Sequence, residues 1–262
     1  MPDSDTALFA VGYAQTYYHQ ETSVKEATEN GIESLARSIS IRIKGERGFM
    51  DTVSGSEFAG EDFQEELPEG ILEFVKTNHK VVATETVGNI TLVLLCSPRS
   101  PTTSSYGIGD APAVSSVKGF NSGRPGWVSE PPKRNGFLYA VGQCNPQYHE
   151  EDAWQLAEYD ARINLALSLV AQLRSLVKKL DRNLNIITTV KTDVVLNRAQ
   201  VDERWVDPRN GIPYVLMRMR LRDNNESLKN QLRKIVPPQP NQNKWTQEEI
   251  IRKAFEELDK VE

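Results

Sequence analysis

The sharpest alternation in the chain is Ile39, Ile41 and Ile43 interleaved with Ser40, Arg42 and Lys44. A side-chain period of two predicts a strand with one buried face. Upstream, Val24, Ala27, Ile32 and Leu35-Ala36 recur at helical spacing and predict a helix over 22–38. Gly31 weakens that helix by up to about 1 kcal/mol relative to Ala. The apolar run from Leu8 to Ala14 predicts a strand before it. Residues 45–60 are punctuated by Gly and Ser and read as an exposed loop. Phe63, Leu67, Ile71, Phe74 and Val75 predict a second helix over 61–78, with Pro68 as a break or a first turn. Two β-rich runs, 81–87 and 90–95, flank Gly88-Asn89, which is a hairpin signal.

The second half restates the first. Leu8-Phe9-Ala10-Val11-Gly12 returns as Leu138-Tyr139-Ala140-Val141-Gly142, and the same offset pairs Tyr18 with Tyr148, His19 with His149 and Glu21 with Glu151. Ala27 then meets Ala157, Leu35 meets Leu165 and Ser38 meets Ser168. Over 8–39 no gap is needed and about a third of positions are identical. Such a repeat organises the whole reading. It conflicts with local periodicity at one place. Leu156, Tyr159, Ile163, Ala166, Val170, Leu173, Val177 and Leu180 alternate spacings of three and four, as in one long helix. The repeat instead places Leu169, Ala171 and Leu173 where Ile39, Ile41 and Ile43 make a strand, so the expectation is a helix to 168 followed by a strand. A second helix over 185–197, strands over 200–206 and 214–221 around the Asn210-Gly211 turn, and a short helical run from 224 to 235 complete the copy. Pro237-Pro238-Gln239-Pro240 is a stiff spacer. Thr246 with Glu249 forms a capping box for a last amphipathic helix, which docks on its own domain or on a neighbour.

The expected fold class is therefore α+β: two tandem repeats of a small domain, helices packed on an antiparallel sheet in β-α-β-α-β-β order, plus a C-terminal helix. The expected divisions are a first repeat at 1–96, a Ser/Pro/Gly-rich linker at 97–136, a second repeat at 137–235, and the tether with its helix at 236–262. Pro125-Gly126-Trp127-Val128 ends the linker and is expected to dock on the second repeat.

Composition narrows the function. In 262 residues the formal net charge is −5 and the pI near 5.5, which argues against a nucleic-acid partner. Arg218, Arg220 and Arg222 alternate along a strand and read as one solvated face. Cys96 and Cys144 are too few for a metal cage or a disulfide framework. No run approaches the roughly 18 apolar residues of a membrane span. The first residues carry no export signal, so membrane association would need an export segment not present here, and a chain that begins at Met1 would be cytoplasmic.

No catalytic constellation stands out, and no cofactor or metal site is expected. Trp154 and Trp205 read as core rather than pocket, and Gly107-Ile108-Gly109 lies outside a strand–helix junction. The repeated polar cluster is Tyr18-His19-Gln20-Glu21 with Tyr148-His149-Glu150-Glu151. One reading makes each His a general base or ligand with Glu21 or Glu151 as its orienter, in a small-ligand-binding or enzymatic domain. The favoured reading is a helix start, with the Glu in the first turn where the macrodipole welcomes it and Tyr and His packing over the strand end.

A further set of phrases points to a family. Pro125-Gly126-Trp127-Val128-Ser129-Glu130-Pro131-Pro132, Leu138 to Gly142, Asp160-Ala161-Arg162-Ile163-Asn164-Leu165-Ala166, and Trp205-Val206-Asp207 through Tyr214-Val215-Leu216 occur in order over 125–222. Together they resemble the "Lpp-twenty" family of bacterial outer-membrane lipoproteins, relatives of which include flagellar outer-membrane ring lipoproteins. The resemblance implies a small α+β domain without known chemistry, residence in the periplasm or outer membrane, and self-assembly or attachment to flagellar or surface structures. Copy one departs from it, since Asn30-Gly31-Ile32 stands where copy two has Asp160-Ala161-Arg162. No lipid-attachment Cys lies near residue 1. The expected function is that of a non-enzymatic envelope protein whose partners are other proteins or further copies of itself.

Overall fold

In each repeat the first helix lies directly against the first strand, and a glycine makes that approach possible. The computed structural model describes residues 7–52, 55–98, 123–180, 190–236 and 246–259. The first repeat contains β1 (Ala7–Gln15), α1 (Gln20–Ile39), β2 (Ser40–Thr52), β3 (Gly55–Glu66), α2 (Ile71–Asn78), β4 (Lys80–Val87) and β5 (Ile90–Pro98). The second contains β6 (Phe137–Gln143), α3 (Glu150–Leu180), β7 (Val190–Asn197), β8 (Gln200–Val206), β9 (Pro213–Arg220), α4 (Asn225–Ile235) and α5 (Gln247–Asp259).

Two sheets have the same plan. Their strand orders are β1-β5-β4 and β6-β9-β8, antiparallel throughout, so the last strand of each repeat sits between the first and the next-to-last. The correspondence reaches an irregularity. Pairing of β4 with β5 slips between Val81 and Ala83, and pairing of β8 with β9 slips between Val201 and Glu203, opposite the equivalent residues Leu95/Leu94 and Met217/Leu216. A bulge kept at one place in both copies is a feature of the folding unit.

The repeated glycines explain the repeated phrase. A Cβ on Gly12 would lie 1.8 Å from the Ala27 carbonyl oxygen and 2.5 Å from the Gly31 nitrogen. A Cβ on Gly142 would lie 2.2 Å from the Ala157 carbonyl oxygen and 2.1 Å from the Ala161 nitrogen. Helix and strand backbones therefore touch at equivalent positions. Side-chain amides fasten them further. Asn30 donates to the Tyr13 carbonyl at 2.7 Å and Asn164 to the Val141 carbonyl at 3.0 Å, while Asp160 accepts from the Gln143 N–H at 2.9 Å. The Asp160–Asn164 phrase is thus a clamp between helix and sheet.

The third sheet, in the order β3-β2-β7, draws strands from both repeats. Ser40 to Arg47 pair with Asn197 to Val190. Ile41 and Ile43, the buried face foreseen in the sequence, enter the same core as Leu165, Leu169, Leu173, Val194 and Leu196. Fully burying a side chain of this size contributes about 1.5–3 kcal/mol. A separate core under α1 holds Leu8, Leu35, Val93 and Leu95, closed by Val75 of α2.

The α+β class, the antiparallel sheets and the C-terminal helix are as expected, but several elements differ. Residues 45–52 and 55–60 are not a loop: they belong to the β2–β3 hairpin, in which Gly45 pairs with Phe63. Residues 61–78 are not one helix. Phe63 is a buried strand residue, and the chain breaks at Pro68 and at Gly70 (φ 78°) before α2 begins. The order in the first repeat therefore gains a strand. In the second repeat the strand expected after 168 is helix to Leu180. Leu169, Val170, Leu173 and Val177 are all buried on one helical face, and no Gly or Pro interrupts 150–180. Local propensity overrides the parallel with β2, whose β-branched alternation is absent there. The helix expected over 185–197 is strand β7 from Val190, because Thr192, Val194 and Leu196 alternate into the core. Residues 185–189, the linker segment 99–122 with Gly107-Ile108-Gly109, and the spacer 237–245 lie outside the described residues.

The last two helices cover the extension of α3. Leu228 and Leu232 of α4, with Ile250, Ile251 and Ala254 of α5, join its core, so the terminal helix docks on its own chain. Its capping box forms as expected: the Thr246 N–H donates to Glu249 at 2.7 Å and the Glu249 N–H to Thr246 Oγ1 at 3.3 Å. Trp127, in a short 3₁₀ turn over 126–128, packs on Trp205 and Leu216 and donates its Nε1–H to Glu203 at 2.7 Å.

Candidate functional site

Where α1 and α3 face each other, charged side chains from both repeats meet around a cleft of about 420 Å³. Its walls include Tyr13, Arg37, Glu65, Glu158, Tyr159 and Arg162. Glu158 is the centre. One carboxylate oxygen accepts from Arg204 at 2.6 Å, and the other lies 3.8 Å from Arg162 and 3.4 Å from Ser34 Oγ of the first repeat. Arg162 extends the chain of charges to Glu65 of β3, which also meets Arg37 at 3.3 Å. Side chains of Glu158 and Arg162 are only 7% exposed, so each charge depends on its partners for solvation. Above them the Arg204 guanidinium lies 5.3 Å from the Tyr13 ring, which in turn stacks on Trp154 at 6.3 Å.

Electrostatics in the cleft holds protons in place. Burial drives the Tyr13 phenol far above its ordinary range, against the opposing pull of Arg204. Tyr159 is raised by burial and then by Glu65, Glu61 and Asp62, and its hydroxyl donates to the Phe63 carbonyl at 2.6 Å. The carboxylates of Glu158 and Glu65 are engaged by guanidinium groups, and the phenols are locked in the neutral form. That arrangement suits rigid cross-repeat registration. The sequence reading passed over this network, although Glu158 and Arg162 at i,i+4 on a core-facing helix are a visible signal.

The repeated Tyr-His clusters stand at the starts of α1 and α3. Tyr18 is 98% exposed and Tyr148 96%. In each, the Tyr ring meets its neighbouring His edge to face, with centroids 5.1 Å apart for His19 and 4.8 Å for His149. Glu21 lies in the first turn of α1, and Glu150, Glu151 and Asp152 in that of α3. His149 Nδ1 is 4.0 Å from Glu151, beyond hydrogen-bond reach. The helix-start reading holds for the acidic residues of the first turns but not for Tyr18 and Tyr148, which stand in solvent instead of packing over the strand ends. Tyr148 also borders a recess of about 390 Å³ with Pro146, Trp154, Val206 and Pro213.

Trp154 and Trp205 are buried, as read. Cys96 is buried and Cys144 half-buried, both as free thiols. One basic cluster departs from expectation. Arg218 is buried and pairs with Asp202 at 3.3 Å, so Arg218, Arg220 and Arg222 do not form one solvated face. Among the described residues no helix is long and apolar enough to cross a membrane.

No family model and no curated protein matches the chain. Among solved structures it is similar to the secreted protein HP1454 from Helicobacter pylori, with 17% identity and a TM-score of 0.19, over 48% of this chain and 50% of that one. The match spans about half of that protein's length, and a superposition that poor carries no argument.

Proposed function

We propose that this chain is a non-enzymatic structural and interaction protein of the bacterial envelope, assembling with further copies of itself or with flagellar or surface structures. The observation that carries the reading is the pair of tyrosines, Tyr18 and Tyr148, held almost fully in solvent at equivalent points of the two repeats. Tyr joins a large apolar face to a polar tip at low entropic cost and recurs at binding hot spots. Presenting it twice on one chain gives two linked contacts, and linkage raises avidity. Periplasmic or outer-membrane residence, and the two-repeat division into 1–96 and 137–235, belong to the same proposal through the family resemblance.

Size-exclusion chromatography with light scattering tests it. The native chain is expected to self-associate with rising concentration or to be captured by flagellar or outer-membrane proteins, and Tyr18→Ala with Tyr148→Ala to reduce either. A strict monomer at high concentration that cross-links to no envelope protein overturns it. The second reading, a small-ligand-binding domain using Tyr148, His149 and Glu151, has in its favour the recess beside Tyr148, which neither His149 nor Glu151 lines. It requires a small molecule to protect that repeat alone from thermal unfolding, with Tyr18→Ala having no effect.

A further inference from the structure

One strand of the first sheet stands in solvent along almost its whole length. β4 ends the order β1-β5-β4, and seven of its eight residues are exposed, among them Val81 at 51% and Val87 at 52%. β1, the opposite edge, is buried over most of its length. Among the described residues nothing pairs with the outer edge of β4. Its sequence, Lys80-Val81-Val82-Ala83-Thr84-Glu85-Thr86-Val87, is rich in β-branched residues and has no Pro or Gly to discourage a further strand. A bulge at Val81–Ala83 twists its start, and the ladder with β5 runs regularly from Ala83 to Val87. The equivalent strand of the second repeat is closed. In β8, Asp202 pairs with Arg218 at 3.3 Å, Glu203 accepts from Trp127 Nε1–H at 2.7 Å and Arg204 reaches Glu158 at 2.6 Å. Every charge of β8 is thus engaged inside the chain, whereas Lys80 and Glu85, the two charges of β4, form no ion pair with any described residue.

We propose, resting on the reading of an assembling protein, that β4 pairs antiparallel with β4 of a second copy about a two-fold axis between Ala83 and Thr84. The charge pattern selects this occupant. Lys80 begins the strand and Glu85 lies near its end. Antiparallel pairing over the full strand therefore sets Lys80 of each copy diagonally opposite Glu85 of the other, within reach of a long side chain. A parallel, in-register pair stacks like charges instead. The same axis brings Val81 opposite Thr86 and Val87 opposite the aliphatic stem of Lys80, so both exposed valines gain cover. Main-chain hydrogen bonds then join two three-stranded sheets into one of six, with the same patch used on both sides. This surface is separate from Tyr18 and Tyr148.

The test uses the full chain in a Cys144→Ser background, which leaves only the buried thiol of Cys96. Thr84→Cys, next to the axis, is expected to form an intermolecular disulfide under mild oxidation. Val87→Cys is expected to form none, because antiparallel pairing holds the two copies of that position more than about 20 Å apart. Lys80→Glu and Glu85→Lys, both at exposed positions, are each expected to weaken self-association by about tenfold, read by light scattering against concentration. Combining them exchanges the two signs and is expected to restore it, which a mere folding defect does not do. Disulfides as ready at Val87→Cys as at Thr84→Cys, single reversals that leave association unchanged, or a double reversal no better than the singles overturns the strand interface. If Tyr18→Ala with Tyr148→Ala abolishes association while the β4 variants keep it, the strand interface falls and the assembly reading stands. A chain that neither associates nor cross-links to an envelope protein removes both.

Discussion

The two repeats agree through the first helix and then part. Both lay a helix on a glycine of the first strand, and both insert the last strand between two others with a bulge at the same place. After Ile39 the first repeat turns into a strand, whereas after Leu169 the second continues as helix for another eleven residues. The consequence is mutual. The strand that leaves the first repeat finds its partner in β7 of the second, and the prolonged helix supplies the apolar surface that this strand buries against. Two units with the same sheet plan are thereby complementary.

The strongest way to break this picture is at Glu158, where charges from both repeats converge. Glu158→Ala strips Arg204 and Arg162 of a buried counter-charge, and the expected loss is about 3–5 kcal/mol in urea unfolding. The exposed pair Glu130–Lys133 is the control. Glu130→Ala is expected to leave the unfolding midpoint essentially where it is, because solvent screens an exposed pair. A loss below about 1 kcal/mol for Glu158→Ala would mean that strand pairing and apolar contact alone hold the repeats together.

Next come the glycines. Gly12→Ala and Gly142→Ala each drive a methyl into backbone atoms that no rotamer change can move. Overpacking commonly costs about 1–3 kcal/mol, and both variants are expected at or above the top of that range. Equal losses sharpen the claim that one contact was inherited twice. If only one variant suffers, the equivalence of the two helix–strand contacts fails.

What the sequence revealed follows the same division. The repeated Leu-x-Ala-Val-Gly phrase was legible because the contact it serves is local and leaves an invariant glycine pair. The alternation correctly declared a buried face for Ile41 and Ile43, though Ile39 ends α1 and joins the other core, and alternation does not say which repeat covers that face. Residues 45–60 look like a loop by composition, yet a hairpin ladder is built from backbone groups that Gly and Ser carry as well as any residue. In 169–180 the three-and-four spacing carried the right answer, and reasoning from the repeat displaced it. At the sites, the Tyr-His clusters were found because they occur twice. Glu65, Glu158, Arg162 and Arg204 were not, because their meaning arises only when distant segments are brought together.

The two ends of the pH scale separate the regions. In the cross-repeat sheet, hydrogen bonding from Arg42 and then Lys234 holds the Asp193 carboxyl well below its ordinary value. Its contribution is therefore full above the unfolded carboxylate value near about pH 4 and is lost as pH falls through the folded one. Tyr13 has the opposite sign of consequence. Its raised value leaves stability intact below the unfolded phenol value near about pH 10 and removes it as pH climbs further. Asp193→Asn is expected to flatten the acid limb of a stability–pH curve, and Tyr13→Phe the alkaline limb. Each variant should leave the other limb unchanged, and a variant that alters both would show the two regions to be one electrostatic unit.

The smallest effect is expected at a glycine of α1 where the two helix–strand contacts differ. Gly31 of α1 stands where α3 has Ala161. A Cβ on Gly31 would meet Leu95 Cδ1 at 2.2 Å, while its distances to the Gly12 backbone are 3.2 and 3.3 Å. The severest obstacle is thus the tip of one side chain, with the Gly12 backbone tight beside it, and in the second repeat the residue equivalent to Leu95 is the more pliable Met217. Gly31→Ala gains up to about 1 kcal/mol of helix propensity and gives up a similar amount in moving Leu95, so its net change should lie near zero. Adding Leu95→Met should release the strain and leave the double variant more stable than Gly31→Ala alone. Ala161→Gly, with no compensating gain, should lose about 1 kcal/mol. If Leu95→Met brings no such relief, the difference between the helices was set by something other than the residue facing them.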